Sequence, residues 1–173
     1  MDLPTLLEKD IQLSARMCIA NEPGIKRVIA QILAHSGDSW FWFTVLILGW
    51  WYGVPPWKSR SASVLLAVLL TAGLVTVFKF TIRRKRPIGE WGKMYRITDP
   101  HSFPSGHAAR AMMIGVLAAG LAPAWLGISM MIWGLLVGLA RVAMGVHYLS
   151  DVVAGWLVGA VMGVLVLLLR IVT

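Results

Sequence analysis

The sequence predicts an all-α membrane protein: a polytopic helical bundle of about five spanning helices, preceded by an N-terminal amphipathic segment that lies in the interface. Three observations predict it. First, the chain is 58% hydrophobic and 14% charged, where a soluble domain is about half apolar by the broadest count and about a quarter charged; its mean hydropathy is +0.73. Second, beyond residue 38 the apolar residues gather into five segments separated by polar or proline-containing turns. Third, small residues recur every four positions on the last two segments, a spacing that lets membrane helices approach closely. The 173 residues are enough for one domain. It divides into residues 1–37, the interfacial part, and residues 38–173, the membrane-embedded core.

Residues 3–19 read as a helix whose apolar face (Leu3, Leu6, Leu7, Ile11, Cys18) is interrupted by Asp10 and Ser14. Asn21-Glu22-Pro23 reads as a second helix start, with Pro23 suited to the first helical position. Ile25, Val28, Ile29, Ile32 and Leu33 then fall on one helical face, with Lys26, Arg27 and Gln31 off it, and Gly37 is a stop. A helix of about 13 residues is roughly 20 Å long, short of the roughly 30 Å hydrocarbon core. It therefore reads as an in-plane helix at the headgroup level; packing against the bundle is compatible with that.

The five apolar segments follow in order. The first is Trp40 to Val54, capped by Asp38 or Ser39 and closed by Pro55-Pro56, with Trp57 as an interfacial anchor. The second is Ala62 to Phe80, the third Ser105 to Leu121, the fourth Trp125 to Ala143, and the fifth Asp151 to Leu169, ended by Arg170. Pro123 marks a tight connection between the third and fourth. Gly134 and Gly138 on the fourth, and Gly155, Gly159 and Gly163 on the fifth, form the small-residue stripes. If all five segments cross, the connection 54–61 lies on one side, and 83–104 and 142–150 lie together on the other.

The formal net charge is +8. On a membrane protein this points to anionic lipid headgroups or an anionic substrate, and no nucleic-acid-binding motif accompanies it. Cys18 is the sole cysteine, so no intrachain disulfide can form. The acidic first residues do not resemble a cleaved signal peptide.

The chemistry-bearing residues end up on the second of those sides. Lys79 is followed after six residues by Arg86-Pro87; then come Pro104-Ser105-Gly106-His107; then Arg141, His147 after five residues, and Asp151 after three. His147 and Asp151, four apart, would be neighbours on a helix. A carboxylate on one imidazole nitrogen fixes the tautomer and frees the other nitrogen as a nucleophile; Asp151 as a plain helix cap fits the pair alone equally well. Pro104 to His107 open a helix whose free N–H groups suit phosphate oxygens, with Gly106 permitting close approach and His107 placed to protonate a leaving oxygen. A capped helix with a surface histidine is the alternative. Lys79, Arg86 and Arg141 would neutralise a phosphoryl group as its charge builds. Arg141 breaks an apolar run, and an intramembrane charge is a functional signal by default. Arg110 is a similar charge without an evident role. Arg83, Arg84 and Lys85 read as snorkelling cations at a helix end.

Taken together and in this order, the three motifs resemble those of the type 2 phosphatidic acid phosphatase superfamily, which includes vanadium haloperoxidases: Lys-x6-Arg-Pro, Pro-Ser-Gly-His and Ser-Arg-x5-His-x3-Asp. The resemblance covers about residues 40–170. It departs at Ala140, where the family often has Ser, which removes one phosphate hydrogen bond. Family members often have six spanning helices, and here the N-terminal segment stands in place of the first.

The resemblance implies metal-independent hydrolysis of a phosphate monoester or diphosphate, with no cofactor. His147 would attack phosphorus and form a phosphohistidine, Asp151 would orient it, and His107 would protonate the leaving group and then activate water. Lys79, Arg86, Ser105, Gly106 and Arg141 would hold the phosphate. The substrate class implied is a lipid phosphate, of the isoprenoid diphosphate or phosphatidic acid type, in a multi-pass protein of the cell membrane. A vanadate-dependent haloperoxidase and a non-catalytic lipid transporter or binding protein are the alternatives. Neither the face of the membrane that carries the site nor the oligomeric state follows from the sequence. Headgroup selection is expected from residues 88–103 and from grooves between helices.

Overall fold

The computed structural model describes residues 2–89, 91 and 97–169. Over these residues the chain is all-helical: α1 Leu3–Met17, α2 Ile25–Ser36, α3 Ser39–Tyr52, α4 Pro55–Ile82, α5 Gly106–Leu121, α6 Ala124–Ala143 and α7 Leu149–Leu168. Three of them, α4, α6 and α7, are long and apolar enough to cross a membrane. The other two predicted crossings are short, with 14 residues in α3 and 16 in α5. At 1.5 Å per residue they are about 21 and 24 Å long.

The shortness of α5 follows from its place. It is the central helix, packed along α6 on one side and α7 on the other, and Ala108 to Gly115 are all buried. A helix buried all round meets protein rather than lipid. Its small residues let the neighbours close in. A Cβ at Gly159 of α7 would lie 2.1 Å from the Ala109 carbonyl oxygen, and one at Gly155 would lie 2.5 Å from that of Ser105. The glycine stripe is therefore the α5–α7 contact, as its spacing predicts. The outer faces stay apolar and exposed, through Val77 and Phe80 on α4, Ile128 and Ile132 on α6, and Leu157 and Val161 on α7.

Three boundaries differ from the sequence expectation. Pro55-Pro56 do not close the first apolar segment; they occupy the first turn of α4, where a missing N–H and a fixed φ are no handicap. The connection 54–61 is thus mostly helix, and α4 runs 28 residues, about 42 Å. Helix α2 starts at Ile25 with Gly24 as N-cap at φ 133°, two residues beyond Pro23, because the reversal into α2 uses a backbone conformation open mainly to glycine. His147 is not on α7 but precedes its N-cap, Tyr148. Arg170, the expected end of the fifth segment, lies outside the described residues.

The N-terminal helices pack on the end of the bundle that carries the motifs. On α2, Ala30 and Ala34 are buried against Ala140 and Met144 of the α6 end, while Ile25, Val28, Ile29 and Ile32 are exposed. Four of the five stripe residues read from the sequence therefore face away from the protein, while Leu33 and the small-residue face hold the helix to it. Helix α1 contacts α6 and α7.

Candidate active site

Lys79 and Arg86 are brought together by the end of α4. Arg83 takes the left-handed conformation (φ 54°) and stops the helix. Lys85 then pairs with His101 in an isolated antiparallel bridge, and the Ser102 N–H donates to the Arg84 carbonyl at 2.8 Å. This pins the connection so that Arg86 turns inward. Its Nη1 donates to the Val146 carbonyl and lies 3.0 Å from His147 Nε2; its Nε donates to the Asp99 carbonyl at 2.6 Å and its Nη2 to Asp99 Oδ2 at 2.7 Å. Lys79, in the last turn of α4, pairs with the same Asp99 carboxylate. Burial pulls the Arg86 guanidinium below its ordinary value, and the Asp99 carboxylate opposes that shift; an arginine stays charged regardless.

Ser105 is the N-cap of α5, its hydroxyl accepting from the Ala108 N–H, and its own N–H donates to the Asp151 carbonyl at 2.9 Å. The α5 start is thereby tied to the α7 start. A Cβ at Gly106 would meet only Val75, at 3.6 Å. No protein contact demands glycine there; the open space beside it is the cavity.

His147 Nδ1 lies 3.4 Å from Asp151 Oδ2, and that same oxygen accepts the Tyr148 N–H at 2.9 Å. Asp151 therefore caps α7 and also stands beside the imidazole. Burial, the largest influence, pushes the His147 imidazole down to about 3 despite the Asp151 contact. The ring is neutral at ordinary pH, with a lone pair available.

Lys79, Arg86, Gly106, His107 and His147 line one cavity of about 350 Å³. Its walls also include Asp99 and Arg110 at the charged end and Val68, Ala72, Val75 and Phe80 of α4, with Thr71 and Thr76 among them, so the charged end continues along a mostly apolar face of α4. Ser105, Arg141 and Asp151 lie behind this wall; all three are fully buried. Arg141, in the last turn of α6, sits 5.9 Å from the centre of the Trp91 ring, and its charge is felt at Lys79, Arg86 and His147. Among the described residues no three His, Cys, Asp or Glu side chains are grouped as metal ligands.

Four groups escaped the sequence reading. Arg84 is no snorkelling cation: its Nη1 reaches Asp151 Oδ1 at 2.7 Å and Ser150 Oγ at 2.6 Å, its Nη2 reaches Asp10 Oδ2 at 2.8 Å, and it lies over the Tyr148 ring. Asp10 and Ser14, the two breaks in the α1 stripe, accept the Ser150 and Leu149 N–H groups, capping α7 from another helix. Those breaks were the available signal. Asp99 bridges the two cations. Asp38 Oδ1 lies 2.8 Å from His107 Nε2. Arg110 also gains a place, its Nη2 donating to the Gly37 carbonyl.

Comparison with known proteins follows this geometry. A family model described as the PAP2 superfamily matches residues 60–171. The chain is 32% identical over 109 residues to an undecaprenyl-diphosphatase of Sulfolobus acidocaldarius, spanning 60% of this chain and 52% of that protein. It is 30% identical over 110 residues to a lipid A 1-phosphatase of Porphyromonas gingivalis, spanning 62% of this chain and 23% of that protein. The match thus spans about half the length, or less, of these curated relatives. Two crystal structures share the fold at 24% identity. One is a transmembrane PAP2-type phosphatidylglycerolphosphate phosphatase from Bacillus subtilis, with TM-score 0.77 over 95% of this chain and 86% of that one. The other is Aquifex aeolicus LpxE, with TM-score 0.72 over 91% and 93%. With the family model running from the second turn of α4 to the end of α7, over all three motifs, the chain belongs to the PAP2 superfamily.

Proposed function

We propose that the protein is an integral-membrane phosphatase that hydrolyses a phosphate monoester or diphosphate of a lipid, of the isoprenoid diphosphate or phosphatidic acid type, without a metal and through a phosphohistidine. The observation that carries this reading is the single cavity that has His107 and His147 on its walls beside Lys79, Arg86 and Gly106, and that continues along the apolar face of α4. A phosphate fits the first end and a hydrocarbon chain the second. The curated relatives, by their names, act on undecaprenyl diphosphate and lipid A.

In this mechanism Lys79 and Arg86 exchange their shared Asp99 carboxylate for the substrate's phosphate, an anion of the same kind. Arg141, from behind, adds positive potential as charge builds on the phosphoryl oxygens. The Gly106 N–H at the α5 start donates to one of those oxygens. His147 Nε2 gives its lone pair to phosphorus, the bond from phosphorus to the lipid oxygen breaks, and His107 gives that oxygen its proton. Water then attacks phosphorus, losing a proton to His107, and the phosphorus–nitrogen bond breaks to release phosphate. Asp151 keeps the proton of His147 on Nδ1 throughout. Arg84, Asp10 and Ser14 hold Asp151 and the α7 start in place.

Residues 1–37 serve as the interfacial part and 38–173 as the catalytic core in the cell membrane, with the exposed stripe of α2 seated at the headgroup level. Phosphate release from a panel of lipid phosphates in detergent, with EDTA present, tests the reading. Turnover that survives chelation and is inhibited by vanadate is expected; activity lost on chelation and restored by Mg²⁺ would overturn the mechanism.

A further inference from the structure

The α2–α3 turn carries a carboxylate that does not do the job its position offers. Asp38 is the N-cap of α3, yet its side chain makes no cap hydrogen bond; an aspartate there ordinarily accepts from the N–H of the second or third helical residue. Instead Oδ1 lies 2.8 Å from His107 Nε2, while Oδ2 lies 3.0 Å from His35 Nδ1 and 3.3 Å from Trp40 Nε1. The Asp38 and His107 side chains are 14% and 17% exposed, so the pair is largely sheltered from solvent screening. Burial disfavours the Asp38 carboxylate, but the hydrogen bonds from His107 and His35 outweigh it and hold the carboxyl below its usual range.

The turn is held by α3 itself and by two other helices. Arg110 of α5 donates to the Gly37 carbonyl. Trp42 of α3 donates to the Ser36 carbonyl at 3.0 Å, and Trp133 of α6 to Ser36 Oγ at 2.9 Å. The fit is close: a Cβ at Gly37 would lie 2.7 Å from Val137 Cγ1 and 3.5 Å from His107 Cδ2. The Nε2–Cδ2 edge of the His107 ring thus faces this turn. Asp38 and the turn itself, residues 36–38, lie outside residues 60–171, the stretch the family model matches, whereas His107, Arg110, Trp133 and Val137 lie within it.

We infer that Asp38 is the positioning residue of the general acid: it fixes His107 with a proton on Nε2, stabilises the imidazolium form, and leaves Nδ1 as the nitrogen that serves the substrate. The inference rests on the reading of His107 as acid. The protons balance. The imidazolium gives its Nδ1 proton to the departing lipid oxygen and becomes neutral, still donating from Nε2 to Asp38. In the second step Nδ1 takes a proton from the attacking water, and the imidazolium is restored. A carboxylate facing Nε2 makes the charged form easier to reach in a site that also holds the cations Arg110 and Arg141.

The test uses the leaving group, because a carboxylate that merely supports the fold is indifferent to it. Turnover of an alkyl lipid phosphate needs its leaving oxygen protonated; p-nitrophenyl phosphate expels a stable phenolate and does not. In the full-length protein in detergent, Asp38→Asn is expected to lower kcat/KM, which reports the step that expels the leaving group and not the phosphohistidine hydrolysis common to both substrates, roughly 10- to 100-fold on the alkyl substrate and clearly less on p-nitrophenyl phosphate. Asp38→Glu keeps the charge and is expected to show a smaller loss with the same bias, which keeps the test open if the amide variant does not fold. Equal losses on both substrates, or none on either, would overturn the role of Asp38. His107→Ala is run alongside: full turnover of the alkyl substrate by that variant would overturn the reading of His107 itself, a separate failure.

Discussion

The site contains two histidine–carboxylate pairs, and they are built in opposite ways. His147 and Asp151 are four residues apart, His147 just before the N-cap of α7 and Asp151 in its first turn. His107 and Asp38 are 69 apart and meet only because the α2–α3 turn folds over the α5 start. The first pair is local. Its geometry follows once α7 forms, and Arg84 with Asp10 then secures it. The second pair is tertiary, so it depends on the packing of α2, α3, α5 and α6 together. A family pattern that begins inside α4 can contain the first pair and not the second. In the proposed reaction the two histidines therefore rest on different foundations: His147 on the local chain geometry at the α7 start, His107 on assembly.

The largest effect expected is at the nucleophile. His147→Ala should lower kcat by several orders of magnitude, since a covalent step is lost, while circular dichroism and thermal unfolding in detergent stay near wild type. If the first pair is as local as proposed, this loss should be the same for alkyl and aryl phosphates. His107→Ala should come second, with a loss in kcat/KM, which reports the step that expels the leaving group, of about 10²- to 10⁴-fold confined mainly to the alkyl substrate. A loss independent of the leaving group would erase the distinction between the two histidines.

Support of the first pair should matter less. Arg84→Ala and Asp10→Ala are each expected to lower kcat about tenfold with KM unchanged, and the double variant should be little worse than either, because residues in one network are not additive. Additive losses would mean that Arg84 and Asp10 act independently on Asp151. Kinetics of the three proteins decide this.

These contacts also show what the sequence reveals and what it hides. The apolar segments, the glycine stripe and the His147–Asp151 spacing are periodic features of one stretch each, and periodicity is what a chain displays. Asp10 and Ser14 were visible as breaks in the α1 stripe, but their partners on the α7 start were not. Arg84 is ambiguous in sequence, because a cation at a helix end looks the same whether it reaches lipid headgroups or, as it does here, Asp151. Asp38 reads as a helix cap, which its position is, although its oxygens are turned to His107 and His35. Pro55-Pro56 read as a break when they begin a helix; a proline pair carries both meanings until the flanking residues are placed.

The smallest effect expected is on stability. The buried His147 ring titrates near 3 in the folded protein against 6.5 in an unfolded chain. Between those values the unfolded state binds the proton and the folded state does not, so this contribution is complete above pH 6.5 and is lost as pH falls toward 3. His147→Gln should therefore flatten the fall of Tm with acidification, measured in detergent from pH 7 to 4; an unchanged slope would place that titration elsewhere.

The central claim is that His147 takes the phosphoryl group. Turnover of a lipid phosphate carrying ³²P in its terminal phosphate, quenched during the steady state, measures this directly. The predicted result is a protein-bound label that is stable in alkali, lost in acid, located on the peptide containing His147, and absent from His147→Gln. A label on another residue, or His147→Gln turning over at even about a tenth of the wild-type rate, would contradict it.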